Sequence, residues 1–185
     1  MKIFLVGIGC VGKSVIGYRL AKQMDLKFSD FDEEVEKYFN STIERLKNKF
    51  LTDYSYRAEV SIVLKKIISE NRDDYVVAMP PNGVRDCYYK ILKKLNDSLI
   101  IEIQDEPENI LKRIEFYDID SKKIDKKLTE KELKLYLKEI KEDISYFKKF
   151  NKRANLHINL KGRGVDESAI LLKEEILKEK MKTGV

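Results

Sequence analysis

The residues best suited to chemistry stand near the start of the chain, where Gly7 to Ser14 reads GIGCVGKS. This octapeptide fits the pattern G-x-x-x-x-G-K-[ST], and it follows an apolar run, Ile3 to Val6, that is typical of a strand. Glycines allow successive backbone N–H groups to face an anion, and the first turn of a following helix adds the positive end of its dipole. The pattern therefore predicts a phosphate-binding loop for a nucleoside triphosphate.

The residue types within this loop predict different roles. Lys13 is expected to reach the β- and γ-phosphates and to act in catalysis, and the Ser14 hydroxyl is expected to bind Mg²⁺. The predicted nucleotide-binding residues of the loop and the following helix are Gly9, Cys10, Val11, Gly12, Lys13, Ser14 and Val15.

Two acidic residues, Asp30 and Asp32, follow a short predicted strand at 26–29. A phosphate-loop enzyme needs a carboxylate near Mg²⁺. Residues two apart in an extended chain point to the same side, so one acid could support the metal while the other accepts the proton of an attacking hydroxyl. The structural alternative is that Asp32 caps a helix beginning at Glu33 and that Asp30 is solvated, because Asp is favoured at helix N-caps.

The rest of the chain alternates predicted strands with predicted helices. Apolar runs predict further strands at 75–79, 98–103 and 156–160, and helical spacing predicts helices at 15–24, 33–38, 43–50, 55–69, 85–95, 107–116, 129–150 and 165–182. Thr129 and Glu132 fit a capping box at the start of one of these helices. This order predicts a three-layer α/β fold with a mainly parallel sheet, in a single domain spanning 1–185.

Composition narrows the classes of partner. Lys and Arg number 37 against 32 Asp and Glu, which leaves a net charge of +5 in 185 residues. The basic residues alternate with acids and form no concentrated stripe, so the charge pattern argues against nucleic acid as the main partner. No apolar run approaches the length of a membrane span, and no signal peptide is evident. We expect a cytoplasmic protein that acts on a small molecule, without binding nucleic acid or a membrane.

Three stretches in order, namely the phosphate loop, the segment FSDFDEEVE from Phe28 to Glu36, and the pair Tyr56-Arg57, resemble the shikimate kinase family. The resemblance covers nearly the whole chain. It implies a P-loop kinase with a five-stranded parallel sheet between helical layers, a short lid at about 117–128, and a monomeric state. It also implies transfer of the γ-phosphate of ATP, with Mg²⁺, to the 3-hydroxyl of shikimate.

The resemblance also implies roles for individual residues. Asp30 would support the metal through water, and Asp32 would bind the acceptor hydroxyls and serve as the base. Arg57 would bind the substrate carboxylate, which agrees with the bidentate geometry of a guanidinium on a planar carboxylate. Arg113 would lie against the adenine.

The predicted acceptor site departs from the family at several points. Met79 to Gly83, reading MPPNG, replaces a run of three glycines, and proline has no N–H to donate. Asn82 and Gly83 remain as predicted substrate-binding residues of this loop. The family's lid arginine has no match, and the cations available there are Lys122, Lys123, Lys126 and Lys127. The second carboxylate-binding arginine, on the helix after the lid, is replaced near Tyr146 or Lys148.

The leading hypothesis is therefore a shikimate-kinase-like enzyme that uses Mg-ATP and phosphorylates shikimate or a related hydroxylated acid. One alternative keeps the reaction and changes the acceptor to another small hydroxylated molecule or a nucleotide. The other alternative is a nucleotide-binding regulatory protein without kinase activity.

Overall fold

The computed structural model describes residues 1–71, 73–120 and 122–183. Its main sheet contains five strands, which are β1 (Lys2–Val6), β2 (Lys27–Asp30), β3 (Tyr75–Ala78), β4 (Ser98–Gln104) and β7 (Leu156–Asn159). All pair in parallel, in the order β2-β3-β1-β4-β7. The central strand β1 lies where the strand order reverses, so its carboxyl end opens into the crevice where ligands bind in such sheets.

Eight helices are present in the described part of the chain. They are α1 (Lys13–Met24), α2 (Phe31–Phe39), α3 (Ile43–Lys47), α4 (Asp53–Glu70), α5 (Asp86–Leu92), α6 (Pro107–Leu111), α7 (Glu130–Asn151) and α8 (Val165–Thr183). The capping box at the start of α7 is confirmed, since Thr129 accepts from the Glu132 N–H and the Glu132 carboxylate accepts from the Thr129 N–H.

Two apolar cores lie on opposite faces of the sheet. One contains Ile3, Leu5, Ile101 and residues of α1 and α8, and the other contains Phe4, Val6, Val77 and residues of α2, α4 and α5. Alternate residues of β1 thus enter different cores, which is why the strand has no polar residue between Ile3 and Val6. The predicted three-layer α/β/α fold with a five-stranded parallel sheet is confirmed.

The predicted helix at 107–116 is too long. Helix α6 ends at Leu111, because Phe116 and Tyr117 form a short strand, β5, that pairs antiparallel with β6 (Lys123–Ile124). This hairpin lies in the segment predicted to be the lid, and Ser121 within that segment is outside the described residues. The predicted helix at 85–95 likewise ends earlier, at Leu92.

None of the described helices combines the length and the apolar composition needed to cross a membrane.

Candidate functional site

The loop after β1 has the backbone conformation that its glycines predicted. Gly7 and Gly12 have φ values of 143° and 104°, and Cys10 has a φ of 59°. A Cβ on Gly7 would lie 2.5 Å from the carbonyl oxygen of Ile103 in β4, so no other residue fits there. These positive φ values turn the loop into a concave backbone surface in front of α1, a geometry that binds phosphate through N–H groups and the helix dipole.

Lys13 is held inside this loop. Its Nζ donates to the carbonyl oxygens of Ile8, at 2.7 Å, and Gly7, at 3.1 Å. Burial lowers the pKa of Lys13 to about 8, and the negative charges of Asp32 and Asp30 oppose that shift. The ammonium group is therefore close to both acids and to the phosphate-binding surface.

An open cavity of about 490 Å³ adjoins the loop on the side of α8. Its lining includes five of the seven predicted nucleotide-binding loop residues, with Arg113. The Arg113 guanidinium lies 2.7 Å from the buried carboxylate of Asp105 and donates to the carbonyl oxygens of Val11 and Arg163. This arrangement is suited to a nucleoside triphosphate with its phosphates at the loop, while contact of Arg113 with the adenine stays a prediction.

Arg163 also belongs to this cavity, although sequence reasoning did not identify it. Arg163 and Gly164 line the cavity opposite the phosphate loop, in the turn between β7 and α8. A signal was present, because a turn that follows a parallel strand lies at the same carboxyl edge as the loop after β1.

The predicted placement of Asp30 and Asp32 on one side of an extended chain is wrong. The strand ends at Asp30, and Asp32 lies in the first turn of α2. Asp30, and not Asp32, is the helix cap: its carboxylate accepts the N–H groups of Asp32, at 3.0 Å, and Glu33. A tight turn from strand into helix therefore brings both acids to the edge of the sheet near Lys13.

Asp32 has the electrostatic environment of a base. Burial, with the neighbouring negative charge of Asp30, raises the pKa of Asp32 to about 6, and Lys13 and Lys47 counteract the shift. A carboxylate with a pKa near 6 is ionised at neutral pH yet accepts a proton more readily than an ordinary Asp.

The described residues contain no group of three or more His, Cys, Asp or Glu side chains able to hold a metal ion by themselves. Mg²⁺ in kinase sites is bound by one or two carboxylates together with substrate phosphates. Ser14 at the start of α1 and Asp30 at the end of β2 are suited to that mode, since Ser14 follows Lys13 directly and Asp30 is close enough for its charge to act on Lys13.

Arg57 is almost fully buried on α4, with 3% of its side chain exposed. Its Nη2 donates to Asp86 at 3.0 Å, whereas its Nε and Nη1 are buried without a hydrogen-bond partner in the described part of the chain. Buried guanidinium groups normally have their donors satisfied, so Arg57 has the capacity to bind a further acceptor.

The loop that replaces the family's glycine run is a tight turn. The Gly83 N–H donates to the carbonyl oxygen of Pro80 at 2.8 Å, and a Cβ on Gly83 would lie 2.5 Å from that of Met79. Pro81 lies close to Gly9 of the phosphate loop, since a Cβ built on Gly9 would lie 4.0 Å from the Cγ of Pro81. The turn thus lies next to the phosphate loop, with the Gly83 N–H already engaged, while a role for Asn82 and Gly83 in substrate binding stays a prediction.

Arg85 is a second arginine that sequence reasoning missed. It follows the turn after β3, and its Nη1 donates to the Tyr146 hydroxyl at 2.9 Å. Its guanidinium lies 4.5 Å from the centre of the Phe150 ring, so the charge is held against α7 by aromatic contacts. The sequence shows an arginine at this position, but it does not predict that its side chain contacts α7.

The segment predicted as the lid contacts the start of α3. Thr42 donates to the carbonyl oxygen of Ile119, and Arg45 pairs with Asp120 at 2.6 Å. Two of the four lysines proposed to replace a lid arginine are engaged elsewhere: Lys123 pairs with Glu115 and Lys126 with Glu132.

The family model and the similar proteins found by comparison indicate the same family. The family model described as shikimate kinase matches residues 9–165. A shikimate kinase of Clostridium botulinum (strain Eklund 17B / Type B) is 37% identical over 116 residues, which are 62% of this chain and 66% of that protein. The bifunctional shikimate kinase/3-dehydroquinate synthase of Thermotoga maritima is 33% identical over 114 residues, 62% of this chain but only 22% of the relative's length.

A solved structure shares the fold. The shikimate kinase from Acinetobacter baumannii, in complex with shikimate, superposes with a TM-score of 0.75 at 19% identity, covering 97% of this chain and 94% of that chain. At this level of identity the similarity shows the fold alone.

Proposed function

Because this chain belongs to the shikimate kinase family, we propose that it transfers the γ-phosphoryl group of Mg-ATP to a hydroxyl group of shikimate. The proposal takes residues 1–185 as one P-loop kinase domain with a lid at about 117–128. The monomeric state and the cytoplasmic location stay predictions.

The observation that carries the proposal is the position of Lys13 beside Asp32. Lys13 begins α1 after the phosphate loop, Asp32 lies in the first turn of α2 after β2, and each charge acts on the other, so the predicted phosphate-binding cation and the predicted base meet at one edge of the sheet. A kinase needs this arrangement, because the phosphate must be held next to the oxygen that attacks it.

The residues of the chain would act as follows. The loop N–H groups and Lys13 bind the β- and γ-phosphates, and Arg113 and Arg163 flank the nucleotide cavity. Bound Mg²⁺, with Ser14 and Asp30 as protein partners, would neutralise phosphate charge during transfer.

The acceptor side would use the second acid and the buried arginine. Arg57 binds the acceptor carboxylate, and Asp32 accepts the proton of the acceptor hydroxyl. The hydroxyl oxygen forms a bond with the γ-phosphorus while the bond from that phosphorus to the oxygen of ADP breaks.

The first test is release of ADP from Mg-ATP with and without shikimate, with the product identified by phosphorus NMR. The proposal predicts shikimate-dependent ADP release and a new phosphate monoester. Lys13→Ala should lower the rate by at least about 100-fold, the effect of removing one charge-stabilising donor.

A panel of other hydroxylated acids, polyols and nucleosides tests the acceptor separately. Turnover of another compound with none of shikimate would replace shikimate as the acceptor and keep the reaction. Nucleotide binding without any phosphorylated product would contradict the kinase proposal itself.

A further inference from the structure

Two guanidinium groups of the acceptor site share one carboxylate. Asp86, the first residue of α5, lies with its Oδ2 atom 3.0 Å from Nη2 of Arg57 and 3.8 Å from Nε of Arg85. The first distance is a hydrogen bond, and the second is too long for one. A single carboxylate oxygen thus faces two positive charges.

The two arginines have more donors than the described protein satisfies. Nε and Nη1 of Arg57 and Nε of Arg85 are buried, and none of them makes a hydrogen bond within residues 1–71, 73–120 and 122–183. Asp53 lies 4.0 Å from Nη1 of Arg57, but its side chain is 85% exposed and contributes little. The cluster therefore carries excess positive charge and unused donors, which a planar anion would complete.

Arg85 lies on a different element from the arginine that the family resemblance implies. The family resemblance places a carboxylate-binding arginine on the helix after the lid, near Tyr146 or Lys148 in this chain. Arg85 comes from the loop after β3, and its guanidinium contacts Tyr146 and Phe150 on that same helix. A cation is thereby held against α7 although α7 does not provide it.

Asp86 is positioned to be displaced. Its side chain is 34% exposed, so it can turn toward water, whereas the Arg57 side chain is 3% exposed and fixed in the core. An incoming carboxylate with two oxygens can satisfy both guanidinium groups, which one oxygen of Asp86 does not.

We infer that Arg57 and Arg85 together bind the carboxylate of the acceptor, and that Asp86 occupies this position as an internal carboxylate that the acceptor displaces. The inference deepens the proposed function, because it rests on the acceptor being a carboxylic acid. Asp86 keeps the arginines paired before binding. Because the acceptor carboxylate must compete with it, Asp86 lowers the affinity of the protein for the acceptor.

The test uses Asp86→Asn, which removes the competing charge and keeps the shape. Asp86 has a φ of 41°, a conformation that Asn tolerates well, and the amide oxygen of the variant can still accept from Arg57. Asp53→Asn is the matched control, because it removes a charge from the exposed side of the same arginine.

Calorimetry would measure the binding of three compounds to the 185-residue protein: shikimate, its uncharged methyl ester, and 1-cyclohexene-1-carboxylate, which lacks the hydroxyl groups. Asp86→Asn should tighten the binding of both carboxylates about tenfold, the equivalent of one charge-assisted hydrogen bond, and leave the ester unchanged. Asp53→Asn should change each dissociation constant by less than about twofold.

Arg85→Gln provides an independent variant, since Arg85 lies in a loop and is less buried than Arg57. It should weaken both carboxylates about tenfold and leave the ester unchanged. The inference is overturned if Asp86→Asn leaves carboxylate binding unchanged or weaker, if Arg85→Gln has no effect, or if no carboxylate binds to any variant.

These results separate the inference from the proposed function. Selective tightening of carboxylates by Asp86→Asn, with no phosphorylation of shikimate, would support the inference and contradict the proposed acceptor. Phosphorylation of shikimate with unchanged binding in Asp86→Asn and Arg85→Gln would support the function and overturn the inference.

Discussion

The nucleotide half and the acceptor half of the candidate site use different parts of the chain. The proposed nucleotide half would bind mainly through backbone, in a loop whose shape depends on Gly7 and Gly12. The acceptor half depends on side chains from separate elements, including Asp32 on α2, Arg57 on α4 and Arg85 before α5. Backbone recognition requires a fixed residue spacing, whereas a side-chain charge can be supplied from more than one element.

This difference explains why the acceptor half first appears depleted. By sequence position, the arginine expected on α7 is missing, and its place falls near Tyr146 or Lys148. In the fold, Arg85 reaches Tyr146 from another element. A missing motif residue is therefore evidence of lost function only after the surrounding space has been searched for a replacement.

The largest effect expected in the acceptor half follows from Asp32→Asn. Loss of the base should lower kcat by about 100- to 10,000-fold. The amide of the variant cannot accept the hydroxyl proton, which explains the fall in kcat. The apparent affinity for ATP should change little, because the substitution leaves the phosphate loop intact. Steady-state kinetics with varied ATP and varied acceptor would measure both.

An equal loss of kcat and ATP affinity in that variant would assign Asp32 to the nucleotide half. Glu33→Gln, an exposed neighbour in the same turn of α2, is the matched control and should retain its kcat.

Arg57→Lys should act on acceptor binding alone. Lysine keeps the charge and loses the planar fork, so the KM of the acceptor should rise by about 10- to 100-fold, with the KM of ATP unchanged. The control is Arg19→Lys, a conservative change at a half-buried arginine paired with Asp166. A rise in the KM of ATP in Arg57→Lys would show that the two halves are not separable.

Asp32→Asn should also stabilise the protein at neutral pH. The folded-state pKa of about 6 exceeds the ordinary value of 3.8, so the folded protein is destabilised by the charged form. The free energy of unfolding of Asp32→Asn should exceed that of the unaltered protein by about 1–3 kcal/mol at pH 8.

This advantage should shrink as the pH falls through 6 and vanish below the ordinary pKa of 3.8, where Asp32 is protonated in both states. Denaturant unfolding at several pH values would measure it. A pH-independent difference would indicate that packing, and not charge, causes the change.

Arg113→Lys is the converse of Arg57→Lys, because it should change the KM of ATP and not the KM of the acceptor. Lysine can remain near Asp105 but cannot also donate in a fork to Val11 and Arg163, so the KM of ATP should rise by about fivefold to tenfold. The KM of the acceptor should stay within about twofold, and a larger rise would contradict the division of the site.

The smallest effect is expected at the contact between the predicted lid and α3. Arg45→Ala removes an exposed ion pair with Asp120, which is worth at most about 1 kcal/mol, so the acceptor KM should change by less than about fivefold. The effect should disappear at high ionic strength, because salt screens exposed charges. An effect that persists in high salt would indicate a packing role for Arg45.

The sequence predicts local patterns better than it predicts distances. The phosphate loop, the alternation of strands and helices along the chain, and the capping box at Thr129 follow from spacing and residue type, which act within a few residues. The cap of α2 is the right residue type at the wrong position, because Asp30 and Asp32 both suit an N-cap and only the strand end decides between them.

The contacts that could not be predicted from the sequence are between residues far apart in the chain. Arg85 and Tyr146 are 61 positions apart, and Arg113 and Arg163 are 50 positions apart. No periodicity or motif links such pairs, since their proximity depends on how α7 and the β7–α8 turn pack around the carboxyl edge of the sheet.

The most direct test of the two-part site is nitrogen-15 NMR of the arginine Nε–H groups, recorded with Mg-ATP alone and with shikimate alone. We predict that shikimate shifts the Nε signals of Arg57 and Arg85, because these two Nε–H groups are buried and make no hydrogen bond in the described part of the chain. The signals of Arg113 and Arg163 should stay unchanged. Mg-ATP should shift Arg113 and Arg163 instead. Shikimate that leaves the Arg57 and Arg85 signals in place, or Mg-ATP that moves them, would contradict the division into two halves.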